Sequence, residues 1–211
     1  MPSDEASEEQ RRKYRAELEA RMALAPKLDQ TGQCLCGAVK FSAKGPIRFS
    51  NLCHCKSCVR FVGAGPVHLV GLNNREEGLT FIEGEDAIRI VKGHGVMRHA
   101  FCSQCGGAIY QWPEGADFCG LFPSTFRIEQ GDRGCALPDE LKPVFHINYE
   151  NRMRDHEDGL VKWKVWPNGE RLNNDGTAYI EAPARPPTLV VVAGVLAATA
   201  ALGLLVSRVR K

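Results

Sequence analysis

The chain has 211 residues, 44% hydrophobic and 25% charged, with a formal net charge of +2. That length suits one domain with appendages, and the composition is that of a globular protein. A balance so close to neutral gives no argument for nucleic acid, and no nucleic-acid partner is expected.

In chain order, residues 1–27 form a charged segment that reads as a helix. Ser7 and Gln10 are spaced for a capping box. Glu8/Arg12, Glu9/Lys13 and Glu17/Arg21 are i,i+4 pairs in the favourable orientation. The apolar stripe is thin (Tyr14, Leu18 and Met22), which describes a solvated helix leading into a domain. No apolar run precedes it, so no secretory signal is read. Nine cysteines without such a signal point to a reducing compartment, where close spacings mean metal or catalysis rather than disulfides.

Residues 28–181 read as the domain. Twelve prolines and 21 glycines along the chain favour short strands and turns. Residues 38–42 alternate and stop at Gly45-Pro46, a strand followed by a turn. Further strands are expected at 66–70, 79–82, 88–91, 108–110 and 144–147. In VKWKVW, Trp163 and Trp166 alternate with lysines as on an edge strand, and read as packing residues. The fold class is therefore all-β. Residues 182–187, APARPP, form an extended linker. Thr188 to Val206 then runs 19 residues without a charge. As a helix this segment would span about 28 Å, close to the thickness of a hydrocarbon core. The tail 207–211 carries three cations. Together these features predict a single-pass C-terminal membrane anchor at 188–206, with the thiol-rich domain on the cytosolic side.

Seven of the nine cysteines fall into three clusters. Cys34 and Cys36 make C-x-C, Cys53, Cys55 and Cys58 make C-x-C-x-x-C, and Cys102 and Cys105 make C-x-x-C. A closed structural zinc takes four ligands and a catalytic zinc takes three, with one position left for water or substrate. Seven ligands divide into four plus three, which predicts two zinc ions per chain. Gly37 and Gly106 follow the two pairs, and glycine supplies the positive φ that a metal-binding knuckle often needs. This marks Cys34, Cys36, Cys102 and Cys105 as one structural site. Cys53, Cys55 and Cys58 come from one short segment. On extended chain His54 would point away from both flanking cysteines, so it reads as a packed residue. A closed version of this second site would need a distant ligand, for which His146 and Asp158 are the candidates. An open three-thiolate zinc would take up an incoming thiol as its thiolate and polarise a carbonyl. Cys119 and Cys135 read as an ordinary buried cysteine and a loop cysteine.

The series G-x-C-x-C-G-x-V-x-F from Gly32, C-H-C-x-x-C-x-R from Cys53 and F-C-x-x-C-G from Phe101 resembles the glutathione-dependent formaldehyde-activating enzyme family, which includes the centromere protein V-like proteins. Gly63-Ala64, the segment from Lys142 to Ile147 and Asp158-Gly159-Leu160 extend the similarity. The resemblance implies an Mss4-like, zinc-stabilised β-sheet domain. It implies a structural zinc on Cys34, Cys36, Cys102 and Cys105, and a catalytic-type zinc on Cys53, Cys55 and Cys58. The implied activity is that of a carbon–sulfur lyase, joining glutathione and formaldehyde as S-hydroxymethylglutathione. One departure stands out: the family's Pro-Trp before Asp-Gly-Leu is absent from Glu150–His156. Lys56, Arg60 and Arg98 are candidate contacts for an anionic tripeptide, chosen by their closeness to the clusters. The alternative reading is a membrane-tethered, non-enzymatic interaction module in which both zinc ions are architectural.

Overall fold

The computed structural model describes residues 7–128 and 137–181. The chain divides into a unit of Met1–Tyr179 and a second of Ile180–Lys211, of which only residues 180–181 are described. The elements in order are α1 (Glu8–Leu24), β1 (Lys27–Gln33), β2 (Lys40–Cys53), α2 (Lys56–Val62), β3 (Val67–Leu72), α3 (Arg75–Gly78) and β4 (Leu79–Glu83), then β5 (Ile88–Lys92), β6 (Met97–Cys102), β7 (Ala108–Pro113), β8 (Cys119–Leu121), β9 (Phe145–Ile147), β10 (Val161–Trp163) and β11 (Arg171–Leu172). The domain is mostly β-sheet with an N-terminal helix, in line with the expected class.

The start of α1 follows its sequence. The Ser7 Oγ accepts from the Gln10 backbone N–H at 3.2 Å, and the Gln10 side chain accepts from the Ser7 N–H at 2.8 Å. Two N–H groups left without partners by the helix geometry are satisfied in this way. Of the thin apolar stripe, Met22 is buried, and the Tyr14 hydroxyl accepts from Arg48 on β2.

The sheet runs β11-β10-β9-β2-β3-β8-β7-β6-β5, and β1 and β4 pair with the first half of β2. Pairing is parallel for β2 with β9 and for β9 with β10, and antiparallel elsewhere. The long strand β2 is the hinge of this arrangement and corrects one expectation. Gly45-Pro46 does not end the strand. The chain continues for 14 residues in all, to Cys53, with an irregularity between Ile47 and Phe49 where its pairing passes from β1 and β4 to β3. A bulge bends a strand while keeping its ladder, so a turn signature here becomes a bend. The other expected strands all lie on observed ones. β1, β6, β8 and β11 are additional, and β10 covers the first half of VKWKVW.

Two apolar cores flank the bend. The larger contains Phe41, Val70, Leu72, Ile109 and Leu121, with Cys34, Cys102 and Cys119 buried in it. The smaller contains Val67, Leu69, Phe122 and Ile147 around Cys53 and Cys58. Cys119 is the buried cysteine expected, and Cys135 lies outside the described residues. Among the described residues no helix is long and apolar enough to cross a membrane. The span read at 188–206, with its linker and basic tail, lies outside them.

Candidate metal centres

The turn between β1 and β2 carries Cys34 and Cys36, and the turn between β6 and β7 carries Cys102 and Cys105. Both are built alike. The Cys34 N–H donates to the Val39 carbonyl at 3.0 Å, and the Cys102 N–H donates to the Gly107 carbonyl at 2.9 Å. Gly37 and Gly106 sit at φ +77° and +70°, the region that glycine adopts without steric cost. The four Sγ atoms lie within 4.8 Å of one another. Four thiolates around one zinc at about 2.3 Å would be about 3.8 Å apart, and the Cys36 and Cys102 sulfurs are 3.9 Å apart. The Val39 N–H donates to the Cys34 Sγ at 3.3 Å, and the Gly107 backbone leads the effects that hold Cys105 down at about 6. The donor set and its spacing fit a tetrahedral metal.

The second cluster is made by one short stretch. Cys53 ends β2, Cys55 is the N-cap of α2 and Cys58 lies in its first turn. Their Sγ atoms also lie within 4.8 Å of one another, with Cys53 and Cys58 buried and Cys55 half-buried. The three sulfurs share charge unequally. Hydrogen bonds first from Cys53 and then from Cys58 pull Cys55 down to about 2, and the same contact with Cys55 pushes Cys53 up. Cys58 is drawn down by Cys53, but the Cys55 contact and burial outweigh this and push it up to about 12. One thiolate supported by two thiols is a site suited to a cation.

Side chains from distant strands reach this cluster. The Gln111 Nε2 on β7 donates to the Cys58 Sγ at 2.9 Å, and the Asn148 Nδ2 lies 3.9 Å from the Cys53 Sγ. Gln111 pairs across the ladder with His99 on β6 and with Gly120 on β8. Cross-strand partners share a face of the sheet, so Gln111 and His99 are neighbours. Burial lowers the pKa of His99, against the opposing pull of Gln111 and Cys55. The His99 Nε2 meets the Ser57 Oγ at 2.8 Å, and that hydroxyl accepts from the His94 N–H at 3.0 Å.

His54 packs away from the metal cluster, as its position between the cysteines leads one to expect. Its Nε2 lies 2.8 Å from the His146 Nδ1, and the His146 Nε2 lies 2.7 Å from the Asp158 Oδ2. Lys162 donates to the other Asp158 oxygen at 2.8 Å. Strand register explains the row: Leu52, His146 and Lys162 are level across β2, β9 and β10. Tyr149 and His156 stack edge-on against His54. Burial, then the imidazoles of His146 and His156, hold His54 down at about 3. Burial raises Asp158, but the hydrogen bonds from Lys162 and His146 outweigh it and keep the carboxyl well below the usual range. His146 and Asp158, the candidates for a distant fourth ligand, are thus engaged with each other and with His54. The Glu150–His156 segment, where the family's Pro-Trp is missing, supplies His156 to this cluster.

Of the three cations proposed as substrate contacts, Lys56 and Arg60 line one cleft beside α2. Arg98 does not line it; its guanidinium pairs with Glu114 at 2.6 Å. Gln111, Asn148, His99 and Ser57 are neighbours of the second cluster that the sequence reading missed. The first three lie on or beside strands whose pairing brings them in from far along the chain.

A family model described as glutathione-dependent formaldehyde-activating enzyme matches residues 29–151, more than half of the chain and all seven clustered cysteines. No curated protein matches the chain. A crystal structure of a Rhodobacter sphaeroides protein, a Northeast Structural Genomics target, is similar over 49% of this chain and 92% of its own, at 19% identity and a TM-score of 0.39. That likeness is too distant to carry an argument. The matched segment begins in β1 and ends just after β9, enclosing both cysteine clusters, and the chain belongs to the glutathione-dependent formaldehyde-activating enzyme family.

Proposed function

We propose that the chain is a zinc-dependent enzyme of the carbon–sulfur lyase type, which adds a thiol such as glutathione to a small, formaldehyde-like aldehyde. The observation that carries this reading is the gathering of Cys53, Cys55 and Cys58 from one short segment, in a chain of this family. Three ligands from one segment would leave the fourth position of a tetrahedral zinc unfilled by that segment. Cys34, Cys36, Cys102 and Cys105 would hold a second, structural zinc, tying the β1–β2 turn to the β6–β7 hairpin.

A zinc ion on Cys53, Cys55 and Cys58 supplies positive charge that favours the thiolate form of an incoming thiol and polarises a carbonyl. In the addition the thiol sulfur bonds to the carbonyl carbon, the C=O π bond breaks, and the thiol proton ends on the oxygen. The product is a hemithioacetal, and no further reactant is needed. The protein orients the site. Gln111 fixes the Cys58 sulfur and favours its thiolate form, the form that ligates a metal. The His54–His146–Asp158 row holds the Cys53–Cys55 backbone in place, aided by the His54 N–H, which donates to the Ile147 carbonyl at 3.1 Å.

Replacing Cys53, Cys55 and Cys58 together by serine tests this function. The expected result is loss of one of two zinc ions per chain and of thiol-dependent aldehyde consumption, with the folded state retained. Turnover that survives in this variant would sink the proposal. The membrane anchor at 188–206 belongs to the same reading. It is tested by whether full-length protein stays with membranes in alkaline carbonate, while a chain ending at residue 181 is released.

A further inference from the structure

His99 and Gln111 stand opposite each other on β6 and β7, and both are buried, at 1% and 3% exposed. Among the described residues the His99 Nδ1 and the Gln111 Oε1 have no hydrogen-bond partner. Two orphaned atoms on facing side chains call for an explanation, because a buried polar atom left unpaired is costly. They complement each other when the Nδ1 carries the ring proton, since a ring N–H donates to an amide oxygen. Burial lowers the His99 pKa, and a hydrogen bond with the Gln111 side chain opposes this. Only an acceptor favours the protonated ring, so the amide presents its oxygen to His99. Its nitrogen then faces the Cys58 Sγ, 2.9 Å away.

The other end of the ring fixes the same tautomer. The Ser57 Oγ accepts from the His94 N–H at 3.0 Å and lies 2.8 Å from the His99 Nε2. Having accepted from the main chain, the hydroxyl has its own hydrogen left to donate, and a bare Nε2 takes it. Packing holds the ring in this position. Phe61 lies against it with ring centroids 4.4 Å apart, and the main chain at Gly93 closes on its edge so tightly that a Cβ there would collide with the His99 Nε2 and the Ser57 Oγ. The hydrogen bonds then run in one direction: His94 N–H to Ser57, Ser57 O–H to His99, His99 Nδ1–H to Gln111, and Gln111 N–H to the Cys58 sulfur.

We infer that His99 is a positioning residue for the three-cysteine centre: as its Nδ1–H tautomer it donates to the Gln111 Oε1 and so keeps the amide nitrogen turned toward the Cys58 sulfur. The inference rests on the reading of Cys53, Cys55 and Cys58 as metal ligands, and not on the addition reaction. A side-chain amide has nearly the same shape when turned over, but its two ends are opposite in kind. With the oxygen toward a thiolate it would repel the sulfur instead of supporting it. Gln111 by itself does not choose between the two orientations. A donor at the His99 Nδ1 makes the choice, because it pairs with the amide oxygen and has nothing to offer the NH₂.

The test has two parts, both on the full chain in detergent and loaded with zinc. Proton–nitrogen correlation NMR on histidine-labelled protein reads the tautomer directly. The chain has six histidines, and the His99 signals are those missing from His99→Asn. The Nδ1–H tautomer is expected in the native chain, and Nε2–H would overturn the inference whether or not any variant folds. The second part is release of zinc to a coloured chelator, with the four-cysteine ion as the control for folding. His99→Gln keeps a polar group at the Ser57 end and loses the donor that faces Gln111. It is expected to weaken retention of the second ion by about tenfold, the lower end of the scale for groups that orient a ligand. His99→Asn places an amide N–H where the Nδ1 was and is expected to hold the ion as the native chain does. In a Gln111→Leu background, His99→Gln is expected to cost nothing more, because the residue it acts through is gone. Equal losses in the Gln and Asn variants, or an additional loss in the Gln111→Leu background, would mean that His99 serves packing alone. A native chain that holds only one zinc ion would remove the metal-centre reading together with this inference. Two ions with no difference among the variants would remove the inference and leave that reading standing.

Discussion

The two cysteine clusters solve different problems with the same side chain. The four-cysteine site joins two turns far apart in sequence, and its sulfurs and turns are supported mainly by backbone N–H groups. The three-cysteine site takes its sulfurs from one stretch of chain and adds, to the Cys58 N–H that donates to the Cys55 Sγ, the support of distant side chains, Gln111 directly and the His54–His146–Asp158 row through the backbone. Backbone support comes with the fold itself and resists change. Side-chain support can be tuned residue by residue, which suits a centre that handles a substrate. The first cluster closes a structure, and the second is held in place by a structure already closed.

The sharpest way to break this contrast is to remove ligands from the first site. Cys34→Ser with Cys102→Ser is expected to abolish cooperative folding, since binding energies of about 10–16 kcal/mol for structural zinc are also folding energy. Circular dichroism during heating checks this, and a native-like transition in the double variant would mean that the hairpins hold without metal. The triple serine variant of the second site should by contrast keep its transition.

A smaller effect is expected from Gln111→Leu. It removes the donor to the Cys58 sulfur and should weaken metal retention at the second site by about 10- to 100-fold, the usual scale for groups that contact a ligand. Competition with a coloured chelator measures this, and the four-cysteine ion serves as the internal control. Asp158→Asn acts further from the sulfurs. It leaves His146 with a weaker partner and Lys162, almost fully buried, without its counter-charge. The expectation is a loss of several degrees in unfolding temperature, the scale of about 1–2 kcal/mol, with a lesser change in metal affinity.

The mildest effect is that of pH. His54 is neutral in the folded chain down to about 3, while in the unfolded chain it takes up a proton near its ordinary value of 6.5. The unfolded state therefore binds more protons between those values, and stability falls as pH drops through that window. The triple serine variant of the second site, with its structural zinc in place, should show an unfolding temperature that is level above pH 7 and declines below about 6.5. His54→Asn should flatten that decline. An equally steep decline in the variant would assign it to other groups.

Much of the site was legible because metal ligation is a local pattern. The spacing C-x-C-x-x-C places three sulfurs within one turn of chain whatever surrounds them, and Cys-Gly at both knuckles announces the positive φ found at Gly37 and Gly106. The N-cap at Ser7 was readable for the same reason, since its hydrogen bonds span three residues. Gly45-Pro46 misled because the turn chemistry is real, but pairing with β1 on one side and β3 on the other carries the strand through it.

Sequence alone determined the fold class, the seven clustered cysteines and their division into four and three, and the family, because each depends on residue type and short spacing. Only the tertiary structure decided which other residues meet them. Gln111 and His99 become neighbours through the β6–β7 register, His54 and His146 through the parallel pairing of β2 and β9, and Asp158 joins them through the pairing of β9 with β10. Arg98 is set apart from Lys56 and Arg60 by its pairing with Glu114. Such contacts join positions from 12 to 92 residues apart, and no periodicity in the chain encodes them; they exist only once the strands have paired.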